Sequence, residues 1–198
     1  MKKIFLTMVS ALLLTGSVSA QDWPKSSWAV RAGMNIANIN VENFSTDNKL
    51  GIHVAGIYEH QLATSMPLYL ETGVALMQKG CKCEMGIASM KTNLWYMEIP
   101  IALNYKFALD EGLTLYPSAG FYYALGIGGK IKADTKEDAF GGESGLKRAD
   151  LGLRLGCTID YNRYQAAIGY SIGMLDYADK ESPEMKNRTF FISVGYRF

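Results

Sequence analysis

Past residue 20 the chain has no run of about 18 apolar residues, the length a helix needs to cross a bilayer. A transmembrane helix is therefore excluded from that part of the sequence. Charge of one sign is also missing. The 20 Lys and Arg against 19 Asp and Glu leave a net charge of +1, which gives no pull toward nucleic acid. Histidine is scarce, with 2 residues, His53 and His60, and no His–Ser–acid spacing stands out. Gly126-Ile127-Gly128-Gly129 ends a strand pattern with no helix pattern after it, so it is not a phosphate-binding loop. Cysteine is limited to 3 residues. Cys81 and Cys83, with Met85 and Met90 nearby, offer soft ligands of the kind copper(I) or zinc takes. Two thiolates fall short of the four ligands of a structural zinc site. Surface thiols or a local disulfide in an oxidising compartment are the simpler reading. Cys157 reads as a small apolar residue. No catalytic, cofactor-binding or metal residue is nominated, and a non-enzymatic protein without cofactors is expected.

What the sequence does have is 12% aromatic residues and 20 glycines. Residues 1–20 stand apart. Lys2 and Lys3 precede an apolar run, Ile4 to Leu14, and small residues lead to Ala20. That pattern describes a secretory signal peptide cut after Ala20. Its removal would take the net charge from +1 to −1 through the loss of Lys2 and Lys3. No Cys lies at the cut, which argues against a lipoprotein. Residues 21–198 are then one domain.

That domain alternates with period two, the signature of strands with one apolar face. In Asn187–Phe198, Phe190, Ile192, Val194, Tyr196 and Phe198 share a face against Thr189, Phe191, Ser193, Gly195 and Arg197. Seven more such stretches occur, at Trp28–Asn38, Leu50–His60, Leu68–Lys79, Thr92–Phe107, Leu113–Gly128, Arg148–Ile159 and Tyr164–Asp176. The phase of Leu50–His60 is the least distinct. Short links at Gln61–Pro67, Ala108–Gly112 and Asp160–Arg163 alternate with longer loops, including Gly129–Lys147. Strands of about ten residues cross a bilayer at the tilt of a barrel. Short turns on one side and long loops on the other are the outer-membrane pattern. The expected fold is all-β, an eight-stranded antiparallel up-and-down transmembrane β-barrel.

A soluble barrel would turn its apolar face inward, so the less apolar face decides the matter. It is rich in glycine, including Gly33, Gly73, Gly120, Gly152 and Gly169. Glycine packs nothing on an exposed strand but makes room inside a narrow barrel. The same face carries Arg31, Glu71, Glu98, Lys106, Arg154 and Arg197, both signs, as a paired network filling the lumen requires. The apolar face carries Trp28, Trp95, Tyr105, Phe107, Tyr164 and Phe198 toward the strand ends, where aromatic girdles sit. Outer-membrane lipids are the expected surroundings, and the expected state is a monomer with no nucleic-acid partner.

The stretches RAGMNIANI, PLYLETGVALMQKG, YMEIPIALNYKF, PSAGFYYALGIGGK and KNRTFFISVGYRF resemble the Bacteroidetes outer-membrane β-barrel family labelled porin-like or PorT-like. The most specific piece is Glu98–Phe107. The resemblance implies a barrel of the OmpA or OmpX type in the Gram-negative outer membrane. It also implies that Tyr196-Arg197-Phe198 is read by the outer-membrane assembly machinery. It does not imply one activity, since a fold does not name a function. The expected role is structural, or interaction through the extracellular loops with the lumen largely filled. The rivals are a narrow porin-like channel, an accessory component of an outer-membrane secretion complex, and a lipid-active enzyme.

Overall fold

The computed structural model describes residues 23–41, 48–80, 82–85, 88–132, 136–138, 140, 147–175 and 185–198. Eight long antiparallel strands run through these residues: β1 Ser26–Val41, β2 Lys49–Gln61, β3 Leu68–Lys79, β4 Ala88–Tyr105, β5 Leu113–Lys132, β6 Ala149–Tyr161, β7 Tyr164–Gly173 and β8 Met185–Arg197. Each pairs with its sequence neighbours. β8 pairs back onto β1, with Val30 opposite Tyr196 and Ala32 opposite Val194. The ring is closed, so every wall strand has two partners and no edge faces lipid. The chain ends are held at one rim, where Phe198 N donates to Trp28 O at 2.8 Å.

The faces follow the alternation. Ile101, Leu153 and Ile192 are 52%, 41% and 52% exposed. Their strand neighbours Ala102, Gly152 and Ser193 are buried. The apolar face therefore points out, and a glycine-rich polar face points in. The indistinct phase of β2 resolves with His53, Ala55, Ile57 and Glu59 inward and Ile52 and Val54 outward. Its inward side is partly apolar where Ala55 and Ile57 line a cavity in the lumen. Close approach explains particular glycines. A Cβ on Gly120 would lie 2.1 Å from the Ile101 carbonyl oxygen. At the β4–β5 turn Gly112 has a φ of 73°, which glycine adopts at no cost.

Several expected boundaries move. The fourth strand does not run unbroken to Phe107. It stops at Tyr105, and a short strand, Phe107–Asp110, pairs separately with the start of β5. Here Lys106 N turns to bond the Pro67 carbonyl at 3.0 Å. β7 ends at Gly173 rather than Asp176, because Met174 N and Leu175 N both bond the Leu151 carbonyl, at 2.7 and 3.4 Å. The stretch expected to be a loop from Gly129 continues β5 to Lys132 and includes a strand at Lys136–Asp138. The Cys81–Cys83 loop likewise contains a strand, Lys82–Met85, paired with the start of β4. Pairing satisfies the backbone of these polar segments. Residues 1–20 lie outside the described residues, as does Cys81, and the side chain of Cys83 is likewise not described.

Candidate functional site: the filled lumen

The barrel interior is the site toward which the wall strands deliver chemistry. Inward positions two residues apart on each strand stack charges at two heights. At the rim holding the chain ends, Arg31 of β1 meets Glu71 of β3 at 3.1 Å and donates from Nε to Gln165 Oε1 at 2.9 Å. Lys106 meets Glu59 of β2 at 2.8 Å, and Arg197 of β8 meets Asp160 of β6 at 2.9 Å. Asn104 ties the first two pairs together, donating to Glu59 Oε1 at 2.8 Å and to Glu71 Oε2 at 3.1 Å. Three cations thus face three carboxylates. Lys106 also sits over the Tyr69 ring, 4.0 Å from its centroid, and 5.2 Å from that of Tyr116.

The second layer lies toward the opposite rim. Lys79 of β3 is 3.1 Å from Glu98 of β4 and 3.6 Å from Asp150 of β6. Arg154 of β6 pairs with Glu98 as well. Tyr122 donates its hydroxyl to Asp150 Oδ2 at 3.0 Å, and Asn187 donates to the same oxygen at 3.1 Å. Two cations face two carboxylates. The Lys79 ammonium lies 5.3 Å from the Tyr96 centroid and 4.7 Å from that of Tyr122. Each layer is electroneutral, and each buries a lysine between two tyrosines. Nearer the rim opposite the chain ends, Lys49 donates to the Thr92 carbonyl at 2.7 Å and to Asn93 Oδ1.

Between the layers lies a cavity of about 40 Å³ lined by Arg31, His53, Glu71, Ser118, Arg154 and Phe191, among others. That volume suits a water molecule. Arg31 Nη2 and His53 Nδ1 have no hydrogen-bond partner, so polar capacity is present on two sides of it. His53 packs edge-on to Phe191 with centroids 5.9 Å apart.

The structure places all six charged residues nominated from the sequence in this lumen. It joins Arg31 to Glu71 and Glu98 to Arg154. Lys106 and Arg197 instead pair with Glu59 and Asp160, which sequence reasoning missed, as it missed Lys79 and Asp150. Lys79 and Asp150 sit on the polar face of their strands and were findable by parity. Glu59 lies on the strand of indistinct phase, and Asp160 looked like a turn residue.

The six aromatic residues nominated as a girdle lie on the outer surface. Trp28 is 62% exposed, Tyr164 68% and Phe198 70%. Five of the six gather at the rim of the chain ends, where Tyr105 and Phe107 are 4.8 Å apart and Tyr196 links Tyr164 and Phe198 at 5.6 and 5.4 Å. Trp28 also packs against Tyr58, with ring centroids 4.7 Å apart and the rings tilted by 45°. Trp95 stands near the opposite rim, four residues or more from the strand ends that project beyond it.

Residues 8–198 match the family model described as outer membrane protein beta-barrel domain. No curated protein matches the chain in sequence. Among solved structures, Neisserial surface protein A is similar at 11% identity with a TM-score of 0.52, covering 88% of this chain and 100% of that one. Ail of Yersinia pestis, solved with the heparin analogue sucrose octasulfate, matches at 15% identity and TM-score 0.48, covering 88% and 100%. OprG from Pseudomonas aeruginosa matches at 12% identity and TM-score 0.48, covering 87% and 96%. Identities this low speak to fold alone.

Proposed function

Starting from a chain that belongs to the outer membrane protein beta-barrel domain family, and is therefore an outer-membrane β-barrel, we propose a non-enzymatic role, structural or by interaction through the extracellular loops. The observation that carries this reading is the pair of electroneutral ion layers across the lumen. A conducting path would have to part charges that complement one another at close range. Opening a layer would strand ions in a narrow interior, at a cost of several kcal/mol per unpaired charge. Residues 1–20 act as a cleaved signal peptide, and the short-turn rim with both chain ends faces the periplasm. The dense belt of aromatic residues at that rim supports this orientation. Phe198 is the contact for the assembly machinery, and the protein works as a monomer. The Bacteroidetes porin-like or PorT-like group is the proposed subfamily, supported by the Glu98–Phe107 motif.

Planar-bilayer recording tests the closed lumen. The expected trace has no steady openings; sustained single-channel steps in the unmodified protein would overturn it. The alternative of a narrow porin-like channel draws on the mid-lumen cavity, and the same recording separates the two. An accessory role in a secretion complex predicts cross-linked outer-membrane partners, and a lipid-active enzyme predicts changed lipid A profiles when the gene is removed.

A further inference from the structure

The cavity between the ion layers, about 40 Å³, is several times the room of about 10–15 Å³ that a single water needs. A monatomic anion with a water beside it also fits. Two buried nitrogens on its wall are unsatisfied among the described residues. Arg31 is 8% exposed. Its Nε and Nη1 are taken by Gln165 and Glu71, and its Nη2 has no hydrogen-bond partner. His53 is equally buried, and its Nδ1 has none either. Leaving a buried donor unpaired is costly, so the cavity calls for an occupant that accepts hydrogen bonds. The hydroxyls of Ser118 and Thr158 also line it, and their hydrogens can turn toward such an occupant.

The charge of the wall points the same way. Arg31 and Arg154 line the cavity against a single carboxylate, Glu71, which Arg31 Nη1 and Asn104 already hold at 3.1 Å each. The two layers are nonetheless balanced as they stand. An anion entering alone would leave one negative charge uncompensated inside the barrel, at high cost. His53 can supply the missing cation, because histidine takes up a proton near neutral pH. Its ring packs edge-on to Phe191 at 5.9 Å, and the Arg154 guanidinium lies 4.9 Å from the same ring. A proton on His53 thus sets a second cation beside Arg154 with no carboxylate to spare. Anion and proton each supply what the other lacks. Around His53, β1 presents Arg31, β3 presents Glu71 and Lys79, β4 presents Glu98, and β6 presents Arg154, with Asp150 reached through Lys79. β5 presents Ser118 and β8 presents Phe191, neither of them charged.

We propose that this cavity binds one halide ion together with one proton on His53, the ion seated between Arg31 Nη2 and His53 Nδ1. The site lies inside the closed ring, so it does not depend on which rim faces the periplasm, and it leaves the ion layers paired as they are. The coupling has a sign. As pH falls through the histidine range, halide affinity rises, by up to about tenfold per pH unit for one proton per ion.

The test is melting of the full barrel in detergent, in chloride and in gluconate at equal ionic strength, at about pH 5 and about pH 8, either side of the ordinary histidine range. Gluconate is too large for the cavity. A ligand held only by the folded state raises its stability. Wild type should therefore melt several degrees higher in chloride than in gluconate at the lower pH, and nearly alike in the two salts at the higher. His53→Gln, neutral at both, should lose the chloride gain. Crystals of wild type grown in bromide at the lower pH should show an anomalous peak in the cavity, a measurement that needs no variant. Equal melting in the two salts at the lower pH, a chloride gain that His53→Gln keeps, or bromide found only on the outer surface would each overturn the proposal. A chloride gain of the same size at both pH values would overturn the proton on His53.

Discussion

Glu98 is the most consequential carboxylate in the lumen. It is fully buried, 3.1 Å from Lys79 and paired with Arg154. Glu98→Ala leaves two buried cations with a single carboxylate, Asp150, which reaches only Lys79, at 3.6 Å. Removing one partner of a buried pair costs about 3–5 kcal/mol. In a chain of this size that corresponds to a fall of roughly 6–20 °C in melting temperature, at about 2–4 °C per kcal/mol. The closed hydrogen-bonded wall is untouched, so the variant should still insert. The compact-to-unfolded mobility shift on heating in a gel, or loss of β circular dichroism in detergent, reads the melting directly. Glu98→Gln with Arg154→Gln removes one charge of each sign and leaves the Lys79–Asp150 pair balanced. It should therefore melt above Glu98→Ala, despite altering more residues. An unchanged melting temperature for Glu98→Ala, or a double variant less stable than the single one, would refute charge balance as what holds the layer.

Ile101 faces out near mid-height of the wall, so Ile101→Arg should cost about 2–4 kcal/mol in the bilayer and lower the folded fraction in lipid-vesicle refolding. Gly120→Val should block folding outright, since even a Cβ there lies 2.1 Å from the Ile101 carbonyl oxygen and 2.4 Å from Ala102 Cα; recovery of heat-stable barrel would show that the wall can yield.

The wall was legible in the sequence because lipid on one side and packed ions on the other impose opposite chemistry on alternate residues. Phe190, Ile192 and Val194 against Thr189 and Ser193 leave little freedom of register. Legibility failed where that contrast fades. β2 turns Ala55 and Ile57 inward beside the cavity, so its two faces resemble each other. Lys130–Lys132 and Lys136–Asp138 pair as strands, although their run of charged residues reads as a loop. The ion partners were harder than the ions. Arg197 and Lys106 were visible as inward charges, but their carboxylates, Asp160 and Glu59, stand across one intervening strand, a contact that the curl of the wall makes and that strand parity does not show.

The central claim is that hydrocarbon touches the apolar face and never the polar one. Single tryptophans at Ile101, Leu153 and Ile192, and at Ala102, Thr158 and Ser193, in vesicles of acyl-chain-brominated lipid, test it most directly. Strong quenching is expected at the first three positions and weak quenching at the second three. Equal quenching in the two sets, or the reverse order, would contradict it.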